Sequence, residues 1–304
     1  MNPIRAVSAS GGNLTEWTEN GMAEILKGKP AADAIDTAVK ARADALIQRG
    51  IAPTLAIIRV GDDPDDCAYE RGAMKRCSRL GISVRNVVFT DSVRQETIMD
   101  SIDVLNEDPN VDGILMLLPL PGNLNTRKAC EELSPSKDVD GVTQGSCAYL
   151  YSGYGTGFAP CTAEACIELL KYYQVPMKGS RIVVVGRSLV IGKPVSMLLL
   201  NENATVTVCH SKTVDLPSVT READIVIAAL GRPEFLDGNY FREGQTVVDV
   251  GINWSEEKKK LVGDVRFDEA EKIVSRITPV PGGVGSVTTA VLCAHVVKAA
   301  EMRL

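Results

Sequence analysis

The chain has 304 residues, 45% of them hydrophobic and 24% charged, enough for two domains with a sizeable core. Its formal charge of −6 argues against a general nucleic-acid surface but leaves room for a local basic pocket that takes a phosphate. No apolar run reaches the roughly 18 residues of a membrane span, and the N-terminal stretch MNPIRAVSASGGNLTEW lacks the apolar core of a secretory signal, so residues 1–21 are expected to be a short polar extension of a cytoplasmic protein.

Residues 22–49 have helical composition and run up to a glycine. TLAIIRVG (54–61) reads as a strand, DDPDD (62–66) as a turn that starts a helix over 66–80, and ISVRNVVF (82–89) as a second strand. A helix over 94–108 follows. DGILMLLPLP (112–121) is almost continuously apolar, as a strand covered on both faces should be. This alternation predicts a parallel α/β layer. A second unit begins near residue 150. It holds a helix over 162–174, strands over 180–186, 204–210, 225–231 and 245–251, and a helix over 193–202. The pattern is that of a dinucleotide-binding sheet with right-handed crossovers, whose sites lie at the carboxyl ends of the strands. EEKKK (256–260) reads as a solvated connection or hairpin tip, and the last helix, 287–302, as a return to the first unit. The expected fold is therefore α/β with two domains and a cleft between them. The first spans 22–149 and is completed by 287–304; the second, Rossmann-like, spans 150–286.

Eight cysteines and two histidines are present, with no C-x-x-C pair, which gives a zinc site little support. Free thiols are expected. Cys161 and Cys166 flank a helix start and are the two that redox chemistry would single out.

The turn in VVVGRSLVIG departs from G-x-G-x-x-G, yet its logic is retained. Gly186 lets the chain turn off its strand, and a helix starting near Gly192 offers amides to a phosphate. Arg187 and Ser188 can reach the ribose side of a nucleotide. At the end of the next strand stand His210, Ser211 and Lys212, where an NAD site usually carries an acidic residue; these three suit a 2′-phosphate and favour NADP, or else form a solvated basic turn. In DVGIN (249–253) the glycine allows close approach of a flat ring and the Ile252 backbone can hold a nicotinamide amide, unless the stretch is only a tight strand exit.

On the substrate side, KDVDG (137–141) offers either a carboxylate for an amidine-like ring or an Asx-type cap. TPVPGGVGSVTT (278–289) is a substrate cradle or an interdomain hinge. Tyr69 faces the same interdomain space or packs in the core.

Taken together, VGDDP, DGILMLLPLP, KDVDG, VVVGRS, ATVTVCHSKT, VVDVGIN, GDV and ITPVPGGVG resemble, in order and spacing, the methylenetetrahydrofolate dehydrogenase/cyclohydrolase family over about residues 22–302. The resemblance implies a homodimer joined through the nucleotide-binding domains. It places NADP at Gly186, Arg187, Ser188, Ser211 and Ile252, and a folate on the first domain, anchored by Asp140 and oriented by Tyr69. The substrate is then 5,10-methylenetetrahydrofolate, oxidised to the methenyl compound, with no metal, nucleic acid or membrane involved.

Two departures bear on the activity. The family's Y-x-x-x-K places a lysine on the helix face of the tyrosine, but here that position is Ala73. The family's D-G-I-L-V-Q-L-P-L-P carries a glutamine where this chain has Leu117. The resemblance assigns that lysine and glutamine to cyclohydrolase proton transfer, so this half-reaction is expected to be weak or absent. Lys75 lies about 200° around the helix from position 73 and is expected to face elsewhere. Ala163, Ala165, Leu189, Ser286 and Val287 also depart from the family pattern. Against this reading stand a fully bifunctional enzyme with a relocated base, and a paralogue that binds NADP but acts on another substrate or only binds.

Overall fold

The computed structural model describes residues 22–304; the polar extension expected for 1–21 lies outside the described residues. The elements in chain order are β1 (Glu24–Ile25), α1 (Gly28–Gln48), β2 (Thr54–Val60), α2 (Pro64–Leu80), β3 (Ser83–Phe89), α3 (Gln95–Glu107), β4 (Gly113–Met116), α4 (Thr126–Glu132), α5 (Gln144–Ser152) and α6 (Cys161–Tyr172). They continue with β5 (Arg181–Val185), α7 (Gly192–Asn201), β6 (Thr205–Cys209), α8 (Leu216–Arg221), β7 (Ile225–Ala228), β8 (Thr246–Asp249), β9 (Asn253–Ser255), β10 (Lys260–Val262), α9 (Phe267–Ala270), β11 (Arg276–Ile277) and α10 (Gly285–Glu301).

Two parallel sheets form. One is three-stranded in the order β3-β2-β4, the other six-stranded in the order β1-β11-β8-β7-β5-β6. The α/β class and the parallel pairing follow from the apolar runs with intervening helices. β4, β7 and β8 are buried along their whole length, as strands covered on both faces must be. β9 and β10 pair antiparallel, so EEKKK does connect a hairpin.

Several expectations need correction. Residues 22–49 are not one helix: Glu24–Ile25 is a strand paired to β11, which puts the start of the described chain in the second sheet. The strand expected over 112–121 ends at Met116; Leu117 still donates to Ile58 O at 3.0 Å, but Pro119 has no N–H with which to continue a ladder. α2 starts two residues earlier than expected, at Pro64, because Asp63 caps it by accepting from the amides of Asp65 (2.9 Å) and Asp66 (3.3 Å).

α10 packs along α1 and α2 and against α6, so it touches elements of both expected units. One apolar cluster runs from Leu55 and Ile57 of β2 through Leu169 and Leu170 of α6 and Leu292 and Val296 of α10 to Ile182 and Val184 of β5. The two sheets thus share a core.

Candidate functional site

The cofactor side is built at the carboxyl ends of β5, β6 and β7. β5 ends at Gly186, whose φ of +143° is open to glycine and whose hypothetical Cβ would lie 2.1 Å from Ala229 O. A Cβ on Gly192 would lie 2.3 Å from Gly186 O, so the start of α7 packs directly on the turn. Gly186, Arg187, Ser188, His210 and Ser211 line a cleft of about 540 Å³, together with Thr213, Asp215, Leu230, Arg232, Phe235 and Tyr240. Gly192, Lys212 and Ile252 are outside that lining. Lys212 is exposed one residue past it, and Ile252, 61% exposed, stands beside Gly285 at the start of α10.

The amides at the start of α7 are not the free phosphate donors expected from the sequence. Ser188 Oγ accepts from Ile191 N at 3.1 Å and Gly192 N at 3.4 Å, and Ser188 O accepts from Lys193 N at 3.0 Å. Ser188 therefore holds the turn closed, and the cationic groups in the cleft are left to meet a phosphate. His210 is fixed in the second turn: its amide donates to Thr213 Oγ1 at 2.9 Å, and its Nδ1 accepts from Lys212 N at 3.1 Å. The residues present fit NADP: a glycine turn without room for a side chain, two arginines, and the aromatic rings of Phe235 and Tyr240 in one cleft.

Two buried carboxylates missed in the sequence reading shape this region. Asp264 accepts from the amides of Leu230 (2.6 Å), Gly231 (2.9 Å) and Arg232 (2.8 Å) and from Asn253 Nδ2 (3.0 Å). It so fixes the turn that presents Arg232, whose guanidinium lies 4.2 Å from the centre of the Phe235 ring. Asp249 accepts from Gly251, Asp264 and Val265 amides at 2.9–3.0 Å; burial pushes its carboxyl up to about 7 while these donors pull it back. The GDV that contains Asp264 was visible as a motif, but its role is set by contacts with a loop thirty residues away in sequence.

The substrate side gathers around α2. Arg59 at the end of β2 pairs with the buried Glu70 at 2.6 Å and with Asp62 at 2.7 Å, which pins the first turns of α2. Arg76 reaches Asp36 of α1 at 3.2 Å and Ser286 O at the start of α10 at 3.5 Å, which fixes the far end. On this helix Tyr69 is partly buried and packs against the shared core. Burial raises its phenol, and so does the nearby charge of Asp140, so the two expected substrate residues are brought together. Asp140 is half-buried, and its carboxylate accepts from Cys161; burial still raises its carboxyl above the ordinary value. One turn from Tyr69, Ala73 is fully buried, and Leu117 is 6% exposed, both in the same apolar cluster. Lys75 is exposed.

Cys161 and Cys166 are both fully buried, and burial raises both thiols, that of Cys166 to about 12. They stay protonated, which removes the reason to single them out for redox chemistry. A buried histidine that sequence reasoning passed over, His295 of α10, lies against this site, with Nδ1 2.8 Å from Val139 O and Nε2 3.0 Å from Glu164 Oε2.

Comparison with known proteins agrees with this layout. Residues 26–140 match the tetrahydrofolate dehydrogenase/cyclohydrolase catalytic domain, and residues 160–304 match the NAD(P)-binding domain of the same name. The bifunctional protein FolD of Carboxydothermus hydrogenoformans is 50% identical over 282 residues, 92% of this chain and 98% of that protein. The crystal structure of bifunctional FolD methylenetetrahydrofolate dehydrogenase/cyclohydrolase from Campylobacter jejuni superposes with a TM-score of 0.89 at 41% identity, covering 93% of this chain and all (100%) of that one. The Trypanosoma brucei methylenetetrahydrofolate dehydrogenase-cyclohydrolase, solved with NADP and an inhibitor, gives a TM-score of 0.86 at 34% identity over 93% of this chain and 98% of that one.

Proposed function

The chain belongs to the tetrahydrofolate dehydrogenase/cyclohydrolase family, and we propose that it is a member that performs the dehydrogenase half of that chemistry and has little or no cyclohydrolase activity. It is an NADP-dependent enzyme acting on 5,10-methylenetetrahydrofolate. NADP, when bound, accepts a hydride at C4 of its nicotinamide. The folate loses that hydride from its methylene carbon, and its own ring nitrogens supply the electron pair that stabilises the methenyl product. The protein then needs to position the folate rather than provide a base. In this reading Asp140 anchors the ring, Tyr69 orients it, and Gly186, Arg187, Ser188, His210 and Ser211 hold the nucleotide. Gly192 contributes by close packing on the turn and Lys212 by charge at its rim, and the Ile252 backbone would hold the nicotinamide amide.

Hydrolysis of the methenyl compound makes different demands. Water must lose a proton as it adds, and a ring nitrogen must gain one as the ring opens. General acid–base help at such a step contributes about 10²–10⁴-fold. The observation that carries the proposal is the tyrosine-bearing face of α2, where the position expected to hold an amine is a methyl group with no exposed surface, in one apolar cluster with Leu117. Lys75 points to solvent and supplies no substitute. Partnership as a homodimer through the nucleotide-binding units fits the edge strand β6, where Val208 is 41% exposed.

The test is an assay with 5,10-methylenetetrahydrofolate and NADP, followed by an assay of the methenyl compound without cofactor. NADPH formation with methenyl decay no faster than in buffer is expected. Hydrolysis at a rate matching NADPH formation would overturn the loss of the second activity. Folded protein that forms no NADPH would assign the cleft to another substrate.

A further inference from the structure

His295 is 3% exposed, and both of its ring nitrogens face acceptors. Nε2 lies 3.0 Å from Glu164 Oε2, and Nδ1 lies 2.8 Å from Val139 O. A neutral imidazole donates from one nitrogen only. A carboxylate and a carbonyl on opposite sides of the ring are both satisfied only when both nitrogens carry hydrogen. This geometry favours an imidazolium, buried against the segment that carries Asp140. Its second contact is to the carbonyl of the residue that precedes Asp140. The Cys161 thiol converges on the same carbonyl at 3.2 Å. On the other side of this short segment the buried Asp138 carboxylate accepts from Val142 N at 3.0 Å and Thr143 N at 2.8 Å. The backbone that carries Asp140 is thus held from both ends, by an anion on one side and a cation on the other.

We propose that His295, kept charged by Glu164, is the positioning residue for Asp140: it clamps the Val139 carbonyl and supplies the positive charge that favours an ionised, ring-binding carboxylate. This rests on the reading of Asp140 as the folate anchor. The groups that face the imidazole are Glu164 and Cys161 from α6, Lys298 from its own helix, and Asp140 from the clamped segment, with the Phe158 ring 5.0 Å away. Lys298 opposes the charge and sits over the Phe158 ring at 5.5 Å; Glu164 supports it at hydrogen-bonding distance. Burial works against the charge and the Glu164 partnership outweighs it, so the imidazole stays protonated above its ordinary range. Removing the Glu164 charge while keeping its shape would leave burial and Lys298 to work against the charged ring, which would then give up its proton more readily.

The experiment compares wild type, Glu164→Gln and Asp140→Asn across about pH 6 to about pH 8. The KM for the folate, the KM for NADP and kcat are measured, along with ring ¹⁵N spectra; with only two histidines in the chain, His210→Gln assigns the signals. In wild type the His295 ring is expected to be doubly protonated and the folate KM flat over this range. In Glu164→Gln the ring should lose its proton as pH rises and the folate KM should climb about tenfold, the worth of a charge-assisted hydrogen bond, with the KM for NADP unchanged. A singly protonated wild-type ring, or a Glu164→Gln profile parallel to wild type, would overturn the positioning role while leaving Asp140 as anchor. An unchanged folate KM in Asp140→Asn would instead remove the anchor itself, and the proposal with it.

Discussion

At the scale of single residues, the position that decides the chemistry is one with nothing to offer. Ala73 has no exposed surface and lies in the apolar cluster that also holds Leu117 and Cys77. Ala73→Lys would insert a long cationic side chain into that cluster. Overpacking and burial of the amine should destabilise the protein by about 2–4 kcal/mol, read as a lower denaturant midpoint, without restoring hydrolysis of the methenyl compound. Adding Leu117→Gln gives the amine a hydrogen-bond partner. The double variant should be more stable than the sum of the two single changes predicts, and recovery of hydrolysis should appear there first. A second single-residue prediction concerns the nucleotide. Arg187 is exposed and lines the cleft. Arg187→Ala should raise the KM for NADP roughly tenfold, the value of a charge-assisted bond to phosphate, and leave the KM for NAD nearly unchanged. Equal losses for both nucleotides would remove Arg187 from phosphate recognition.

At the scale of elements, α2 carries both Tyr69 and Ala73, and its start is set by Asp63 and Pro64. Asp63→Ala should cost about 1 kcal/mol through loss of the cap and should raise the folate KM more than the KM for NADP, because the frayed turn is the one next to Tyr69. Steady-state kinetics with each substrate varied checks this. The start of α2 illustrates what was legible and what was not. Its cap and first proline are local signals, and a helix was read there, two residues short. The strands β2, β5 and β7 were equally legible, since their branched apolar runs admit no other burial. β1 was not. Two residues make a strand only because β11 lies beside them, and that partner comes 250 residues later in the chain. α5 was missed because QGSCAYLYS has no apolar stripe; Thr143 caps it by accepting from Ser146 N at 3.0 Å, and Gly153 ends it. In the site, the residues of the first two turns, Gly186 to Ser188 and His210 to Ser211, were readable from their place at strand ends. Arg232, Phe235 and Tyr240 were not, because Asp264 and the loop after β7 bring them in. The role given to the α7 amides failed for a local reason: a serine two residues after Gly186 can take those donors itself.

At the scale of the whole molecule, α10 is what joins substrate side, shared core and first unit, and its His295–Glu164 pair makes the molecule's stability depend on pH. Arg42 of α1 holds its end through two contacts to Glu301, at 2.8 and 2.7 Å. Its middle is held by His295 and Glu164 of α6, whose side chains are 4% and 32% exposed. Each partner contributes in a different direction. The histidine is raised above its ordinary value of 6.5, so its contribution is complete below that pH and is lost as pH rises through the folded-state value. The glutamate is lowered from 4.5, so its contribution is complete above that pH and is lost as pH falls through the folded-state value. Both are present together between about pH 4.5 and about pH 6.5. Within that window wild type should exceed Glu164→Gln by about 1–2 kcal/mol, less than a fully buried pair because the carboxylate is partly hydrated, or roughly 2–4 °C in melting temperature. The gap should narrow as pH rises above the window towards the histidine's raised folded-state value, and again in acid as pH falls towards the glutamate's lowered one. Melting curves of the two proteins at matched pH measure that difference directly. A gap that stays constant from acid to alkaline pH would mean that Glu164 supports α10 by packing alone, with no charge on the histidine for it to hold.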